Sequence, residues 1–111
     1  MKEIIIKNKT IYYGENAKEN TDLIKKFQEE GVTGFWYHLS DLPSPHGFYL
    51  AGELTKDEMI QLGQFFLLKI KNKIPKDIKT FYLDYTELSN IVTTKTSGLV
   101  ILKSSKQIKI I

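Results

Sequence analysis

The sequence predicts a single α+β domain over residues 1–111, with a mainly antiparallel sheet of about five strands and two helices. Three observations support this prediction. The chain has 111 residues, which is close to the commonest size of one domain. After a β segment at the N-terminus, the patterns follow the order helix, two strands, helix, three strands, which is an α+β order. The links between strands are short, and short links favour antiparallel pairing.

The N-terminal segment is rich in β-branched and aromatic residues. Residues 4–6 and 10–13 have this composition and flank Asn8. They predict one hairpin or one broken strand that ends at Gly14.

A first helix is predicted after Gly14. Asn16 and Glu19 have the spacing of a capping box, and Gly31 is placed to close the helix. The apolar positions follow a helical period and define the buried side, which is Leu23, Ile24 and Phe27.

Two strands are predicted in the middle of the chain, over residues 34–39 and 46–51. The loop between them, residues 40–45, contains Pro43 and Pro45. Because proline lacks a backbone N–H, this loop is excluded from regular strand pairing.

The second helix has the best local signal in the chain. Thr55 and Glu58 form a second capping box, Asp57 lies in the first turn, and Pro75 stops the helix. The apolar positions at helical spacing are Met59, Gly63, Phe66, Leu67, Ile70 and Ile74.

Three further strands are predicted over residues 79–85, 98–103 and 107–111. The last two are predicted to form a hairpin that turns at Ser104 and Ser105. The segment 108–111 is a candidate edge strand for pairing with a second copy, but the sequence does not predict an oligomeric state.

The composition excludes several classes of protein. There is no cysteine, so disulfides, thiolate metal ligands and a cysteine nucleophile are excluded. No apolar stretch approaches the roughly 20 residues that a bilayer-spanning helix needs, and no signal-peptide core is present. We expect a cytoplasmic, unanchored protein.

Positive charge is concentrated in the second half of the chain. Residues 1–58 hold 7 lysines and 10 acidic residues, a net charge of −3, and residues 59–111 hold 9 lysines and 3 acidic residues, a net charge of +6. A basic half is a modest indication of a polyanionic partner, but charge alone favours a solvated lysine surface that maintains solubility. All 16 basic residues are lysine, so the planar fork of arginine is unavailable for base recognition.

Two histidines flank the proline loop. Trp36 and His38 share one side of their strand, His46 begins the next strand, and Asp41 lies between them. Three hypotheses remain open: a metal site of His38, Asp41 and His46, acid–base catalysis with Asp41 orienting a histidine, or histidines that hold the turn by hydrogen-bonding loop backbone.

Aromatic residues are frequent in the predicted strands. The run 35–37 offers a candidate stacking platform for unpaired bases, but strand aromatics are more often part of a core. No phosphate-cradling glycine loop, zinc-finger spacing or serine nucleophile elbow is present.

The order of these short motifs resembles the NFACT-R domain family. Residues 14–24 resemble its opening, which is a glycine, a short spacer, a Glu-Asn pair and a helix. Residues 35–46 resemble its central signature, a Trp-aromatic-His strand, a proline-containing loop and a second histidine. Asp84-Tyr85-Thr86, Asn90 and Gly98-Leu99-Val100 resemble its C-terminal signature.

The resemblance implies a non-catalytic RNA-binding domain in a standalone, minimal version. Larger family members act in ribosome-associated quality control, binding the obstructed large ribosomal subunit and tRNA. We expect no cofactor. Relatives tend to be more basic after the asparagine that corresponds to Asn90, where only Lys95 remains here. The candidate binding residues are Trp36, His38, Asp41, Ser44, His46 and Lys95.

We therefore expect a module that binds tRNA or rRNA, on or near the ribosome, and that is not an enzyme. Two alternatives remain: a protein-interaction module that docks on a ribosomal or other protein, and a small metal-dependent or acid–base enzyme that uses His38, Asp41 and His46.

Overall fold

A six-stranded antiparallel sheet forms the centre of the molecule, with one helix on each side. The computed structural model describes all residues, 1–111. The sheet order is β1-β2-β4-β3-β5-β8, and β6 and β7 form a separate two-stranded sheet. The strands are β1 Lys2–Ile6, β2 Lys9–Tyr13, β3 Phe35–Leu39, β4 Gly47–Tyr49, β5 Tyr82–Glu87, β6 Ile91–Thr93, β7 Val100–Leu102 and β8 Lys106–Lys109. The helices are α1 Ala17–Glu29 and α2 Lys56–Lys69.

The predicted α+β class, the antiparallel sheet of about five strands and the two helices are confirmed, since the main sheet has six strands. The separate two-stranded sheet, β6 and β7, was not predicted. The N-terminal segment is a hairpin rather than one broken strand, because Lys7 and Asn8 adopt positive φ values of 48° and 68°. That left-handed geometry is typical of a tight turn between paired strands.

The predicted hairpin at Ser104 and Ser105 is wrong. β7 pairs with β6, and β8 pairs with β5 on the central sheet. The chain crosses from one sheet to the other at these serines, where the carbonyl of Ser104 accepts a hydrogen bond of 2.7 Å from the Thr86 hydroxyl. β6 has three residues, too few for an alternation pattern, which is why it was not predicted.

Both sides of the central strand β3 are covered, so its sequence carries no hydrophobic–polar alternation. Tyr37 and Leu39 point to the α2 side, in the larger core cluster that also holds Leu62 and Phe66. Trp36 points to the α1 side, in the smaller cluster formed by Leu23, Ile24, Phe27, Trp36, Phe48, Leu88 and Ile91. The three residues predicted to be buried on α1 are therefore confirmed.

The helix ends follow their capping residues. The Thr55–Glu58 capping box is complete, since each side chain accepts from the backbone N–H of the other residue. At α1 only half of the predicted box forms. Asn16 accepts from the N–H of Glu19, but the Glu19 carboxylate accepts from Glu15 and not from Asn16. α2 ends at Lys69, and a 3-10 turn, Lys71–Lys73, precedes Pro75.

No helix in the structure is both long enough and apolar enough to span a membrane.

We predict that Thr86→Val lowers the free energy of unfolding by about 1–3 kcal/mol, because the hydroxyl also accepts from Asn90 Nδ2 and its loss leaves polar partners unpaired. Urea denaturation measures the change. Thr80→Val, at an exposed position, is the control and is expected to change stability by less than about 0.5 kcal/mol. Equal effects of the two substitutions would contradict a structural role for the hydrogen bond between Thr86 and Ser104.

Candidate functional site

The two histidines lie side by side at one end of the sheet. Their ring centroids are 4.8 Å apart, at an angle of 76°. His38 also stacks on the Trp36 ring, with centroids 5.6 Å apart and planes within 8°. Both rings border a cleft of about 560 Å3, a volume in the range of small-molecule sites.

A hydrogen bond from Trp36 fixes the chemical state of His46. The Trp36 Nε1–H donates to Nδ1 of His46 at 3.0 Å, and both residues are 2% exposed. Because an indole nitrogen only donates, Nδ1 must be the acceptor, and the proton of the neutral imidazole lies on Nε2. The hypothesis that the histidines hold the turn is thus confirmed in part. The His46 ring is fixed by a hydrogen bond, but the partner is the Trp36 side chain and not loop backbone.

The backbone of His46 is held by a second set of contacts. Its N–H donates to Asn20 Oδ1 at 3.3 Å, and its carbonyl accepts from the Gly14 N–H at 3.2 Å. A Cβ on Gly14 would lie 2.2 Å from Asn20 Oδ1. Position 14 therefore has room only for glycine beside Asn20, and the end of β2, helix α1 and the proline loop meet at this point.

Ser44 braces the proline loop from within. Its hydroxyl accepts from the Leu39 N–H at 2.9 Å and donates to the Pro45 carbonyl at 2.9 Å. Since Ser44 is buried and its hydroxyl is engaged, its role in the site is to shape the loop.

Burial keeps both histidines neutral. It lowers the pKa of His46 to about 3, and His38 acts in the same direction. It lowers the pKa of His38 to about 4, although the Asp84 and Asp41 carboxylates act to raise it. At neutral pH the pair presents hydrogen-bonding groups to the cleft, with no charge.

Three other elements complete the cleft. They are the first turn of α1, residues 15–17 and 20; the end of α2 with the turn that follows, including Lys69 and Lys73; and residues 97–98 of the β6–β7 connection. The Lys69 ammonium lies over the rings of Tyr13 and Phe65, at 5.4 and 5.6 Å from their centroids. The cleft thus combines two lysines with the neutral histidine pair.

Three of the predicted site residues do not border this cleft. Asp41 has a positive φ of 59° and borders a neighbouring groove of about 400 Å3, which also contacts His38, His46 and Leu99. Lys95 is exposed in the β6–β7 connection and borders neither space. Trp36 is a core residue that acts through His46, and its buried ring offers no open stacking platform.

His38, Asp41 and His46 are not arranged as ligands of a metal ion in the structure. No group of three or more His, Cys, Asp or Glu side chains is arranged to hold a metal ion. The acid–base hypothesis required Asp41 to orient a histidine, but the orienting partner of His46 is Trp36. That the chain is not an enzyme stays a prediction.

Sequence reasoning missed Asn20, Lys69 and Lys73. Asn20 belongs to the Glu-Asn pair of the first motif, so its position was visible but its contact with His46 was not. The two lysines lie on α2 and the turn after it, and no local pattern connects them to a loop more than 20 residues earlier.

A second cavity, of about 670 Å3, lies beside Gln28, Gly34, Ala51 and Leu88. It contains no histidine, and its charged residues are Glu87 and Lys103. We select the histidine cleft because strongly shifted pKa values and converging polar groups mark functional sites more often than volume does.

Comparison with known proteins supports the fold alone. No protein-family model matches the chain, and no curated protein matches it. Among solved structures, the chain is similar to the C-terminal part of the fibronectin/fibrinogen-binding protein from Streptococcus suis, with a TM-score of 0.69 and 17% sequence identity. The match covers 96% of this chain and 44% of that one, so this chain spans less than half the length of its structural neighbour.

We predict that Asn20→Ala lowers the free energy of unfolding by about 1–3 kcal/mol, because it leaves the buried N–H of His46 without an acceptor. Asn20→Asp, which keeps an oxygen at the same position, is expected to cost less. Chemical denaturation measures both variants. A neutral Asn20→Ala substitution would show that Asn20 does not hold the loop.

We predict that stability falls as the pH drops from about 6.5 towards 4. Above the ordinary histidine pKa of 6.5, both histidines are neutral whether the chain is folded or unfolded. Below it only the unfolded chain binds the protons, so the unfolding free energy falls by about 1.4 kcal/mol per pH unit for each histidine. Denaturation at several pH values measures the slope.

The control for the pH dependence is the double variant His38→Gln with His46→Asn, whose slope in this window is expected to be shallower. An identical slope in the variant would mean that the histidines are not responsible.

Proposed function

We propose that this chain is a non-catalytic RNA-binding domain that associates with ribosomes or tRNA in the cytoplasm, in translation quality control. The observation that carries the proposal is the cleft at His46. Residues that the NFACT-R signature singles out, His38, Ser44 and His46, meet there with Lys69 and Lys73. A site for the RNA backbone requires a defined shape and positive charge. The histidine loop provides the shape, and the lysines provide the charge.

The distribution of lysine supports an anionic partner. Residues 69–79 contain five lysines and one acidic residue, and the five ammonium groups are on exposed side chains around the end of α2. Lysine binds phosphate as a point charge, so such a segment contributes affinity that depends on salt more than on base sequence.

A protein-interaction module is the second candidate, and the small sheet favours it. Val92 and Ile101 are directly paired across β6 and β7 and are 40% and 59% exposed, and Leu99, which precedes β7, is 56% exposed. Exposed apolar residues in a contiguous group are typical of docking surfaces. The Streptococcus suis protein with this fold is named for binding fibronectin and fibrinogen. The fold therefore occurs in a protein that is named for binding other proteins, which supports the second candidate.

We predict that the purified protein binds tRNA or ribosomal subunits with an affinity that falls as salt rises. The double variant Lys69→Gln with Lys73→Gln is expected to bind more weakly and to reduce the slope of log K against log salt by about 1.4, since each single-strand phosphate contact contributes about 0.7. Fluorescence anisotropy with labelled RNA across a salt series measures both quantities.

The matched control is Lys25→Gln with Lys26→Gln, which removes the same charge from the exposed side of α1, about 12–14 Å along the helix from the cleft. Its salt slope is expected to stay closer to that of the wild type. Absence of binding to either RNA at low salt would contradict the proposed function. Ribosome association that survives nuclease treatment would favour the protein-docking candidate.

A further inference from the structure

The buried His46 side chain carries a hydrogen-bond donor that has no partner in the protein and reaches the surface. His46 is 98% buried, and its Nδ1 is occupied by Trp36, but Nε2 makes no hydrogen bond. No fully buried side-chain nitrogen or oxygen in the structure lacks a partner. The small exposed area of His46 must therefore include Nε2, and the spaces His46 borders are this cleft and the adjoining groove.

The first turn of α1 supplies further donors at the same place. The N-cap side chain of Asn16 accepts only from Glu19, so the N–H groups of Ala17 and Lys18 have no acceptor within the helix, and of these two residues Ala17 borders the cleft. These groups carry the partial positive charge of the helix N-terminus. Because Gly98 approaches so closely that a Cβ there would lie 2.9 Å from Ala17 Cβ, the β6–β7 connection closes one side of the turn.

Lys69 and Lys73 provide the formal charge on another wall of the cleft. The ammonium of Lys69 is located by the rings of Tyr13 and Phe65, so part of its conformational freedom is already restricted. One carboxylate in the cleft reduces the positive charge of the two lysines. Glu15 borders the cleft, and its Oε2 lies 4.0 Å from Lys69 Nζ.

We propose that this cleft binds one phosphate group, held between the Nε2–H of His46, the free N–H groups at the start of α1, and the ammonium groups of Lys69 and Lys73. The proposal deepens the RNA-binding function and rests on it for the source of the phosphate, which is a phosphodiester or a terminal phosphate of an RNA chain. Backbone N–H groups at a helix N-terminus are a general solution to phosphate binding.

The fixed tautomer gives Trp36 a positioning role in this site. A free imidazole offers the bound group a donor or an acceptor with similar ease, and an acceptor would repel phosphate oxygen. Because Trp36 occupies Nδ1 as a donor, the nitrogen left for the cleft is always the protonated one.

The first test uses His46→Asn. The asparagine amide oxygen reaches the position of Nδ1 and can still accept from Trp36, but nothing replaces Nε2–H. The affinity for inorganic phosphate, followed by amide shifts in NMR spectra, is expected to fall about tenfold or more, the effect of one hydrogen bond to a charged group. An unchanged affinity in a folded His46→Asn protein would overturn the role of His46.

A second variant removes a backbone donor and leaves every polar and charged side chain of the cleft in place. Ala17→Pro deletes the N–H at the first helical position, where proline is well tolerated, and Asn16 already has the extended conformation that proline requires before it (φ −147°, ψ 166°). Phosphate affinity is expected to fall several-fold. Lys56→Pro, the same change at the first position of α2, is the control and is expected to leave phosphate affinity unchanged.

A third variant predicts a gain. Glu15→Gln removes the carboxylate that opposes the lysines and frees Lys69, so phosphate affinity is expected to rise about two- to fivefold, as for one exposed charge pair. A substitution that damages the fold would weaken phosphate binding. Higher affinity in Glu15→Gln therefore distinguishes a phosphate site from a cleft that has a structural role alone. Unchanged affinity in both Ala17→Pro and Glu15→Gln would overturn the proposal.

Single-stranded RNA oligonucleotides with and without a 5′-phosphate identify the source of the bound group. Equal binding that depends on His46 assigns a phosphodiester, and binding of the phosphorylated form alone assigns a terminal phosphate. RNA affinity that is unchanged in His46→Asn and Ala17→Pro would overturn the phosphate site and leave the proposed function intact. Phosphate binding that responds to all three variants, with no RNA binding, would uphold the site and reject RNA as its source.

Discussion

The hydrogen bond from the Trp36 indole to Nδ1 of His46 is the interaction on which the candidate site depends. It is buried and 3.0 Å long, and it links the core under α1 to the loop that borders the cleft. Trp36 packs among apolar residues of the smaller core cluster, so the ring that orients His46 is itself immobilised. The chemistry of the cleft thus follows from the packing of the core.

The loop that carries His46 is held on three sides. Asn20 accepts from its backbone, Gly14 donates to it, and Ser44 hydrogen-bonds across the turn. These contacts come from the end of β2, from α1 and from the loop itself. Because the partners are far apart in sequence, the loop has this shape only when the whole sheet is folded. That dependence is a reason for placing binding groups on a loop supported by a rigid scaffold.

Much of the fold was predictable because its signals are local. The Thr55–Glu58 box, the period of Leu23, Ile24 and Phe27, and the proline loop were all read from neighbouring residues. The last hairpin was predicted wrongly because β7 and β8 are close in sequence, whereas β8 finds its partner on the distant β5. The two histidines were expected at one site because they flank the same loop between neighbouring strands, but Lys69, Lys73 and the open turn of α1 join them only through tertiary structure. Asp41 was a candidate because it lies between the two histidines in sequence, and Lys95 because of the family resemblance, but neither residue borders the cleft.

The tautomer of His46 tests this account most directly. Long-range nitrogen–proton NMR spectra of the histidine-labelled protein at neutral pH distinguish a proton on Nε2 from one on Nδ1. We expect His46 to carry its proton on Nε2, with Nδ1 unprotonated, and to keep this form while an unrestrained histidine would begin to ionise. A proton on Nδ1, or a mixture of the two forms, would mean that Trp36 does not fix the ring, and the cleft would then have no permanent donor for an anionic ligand.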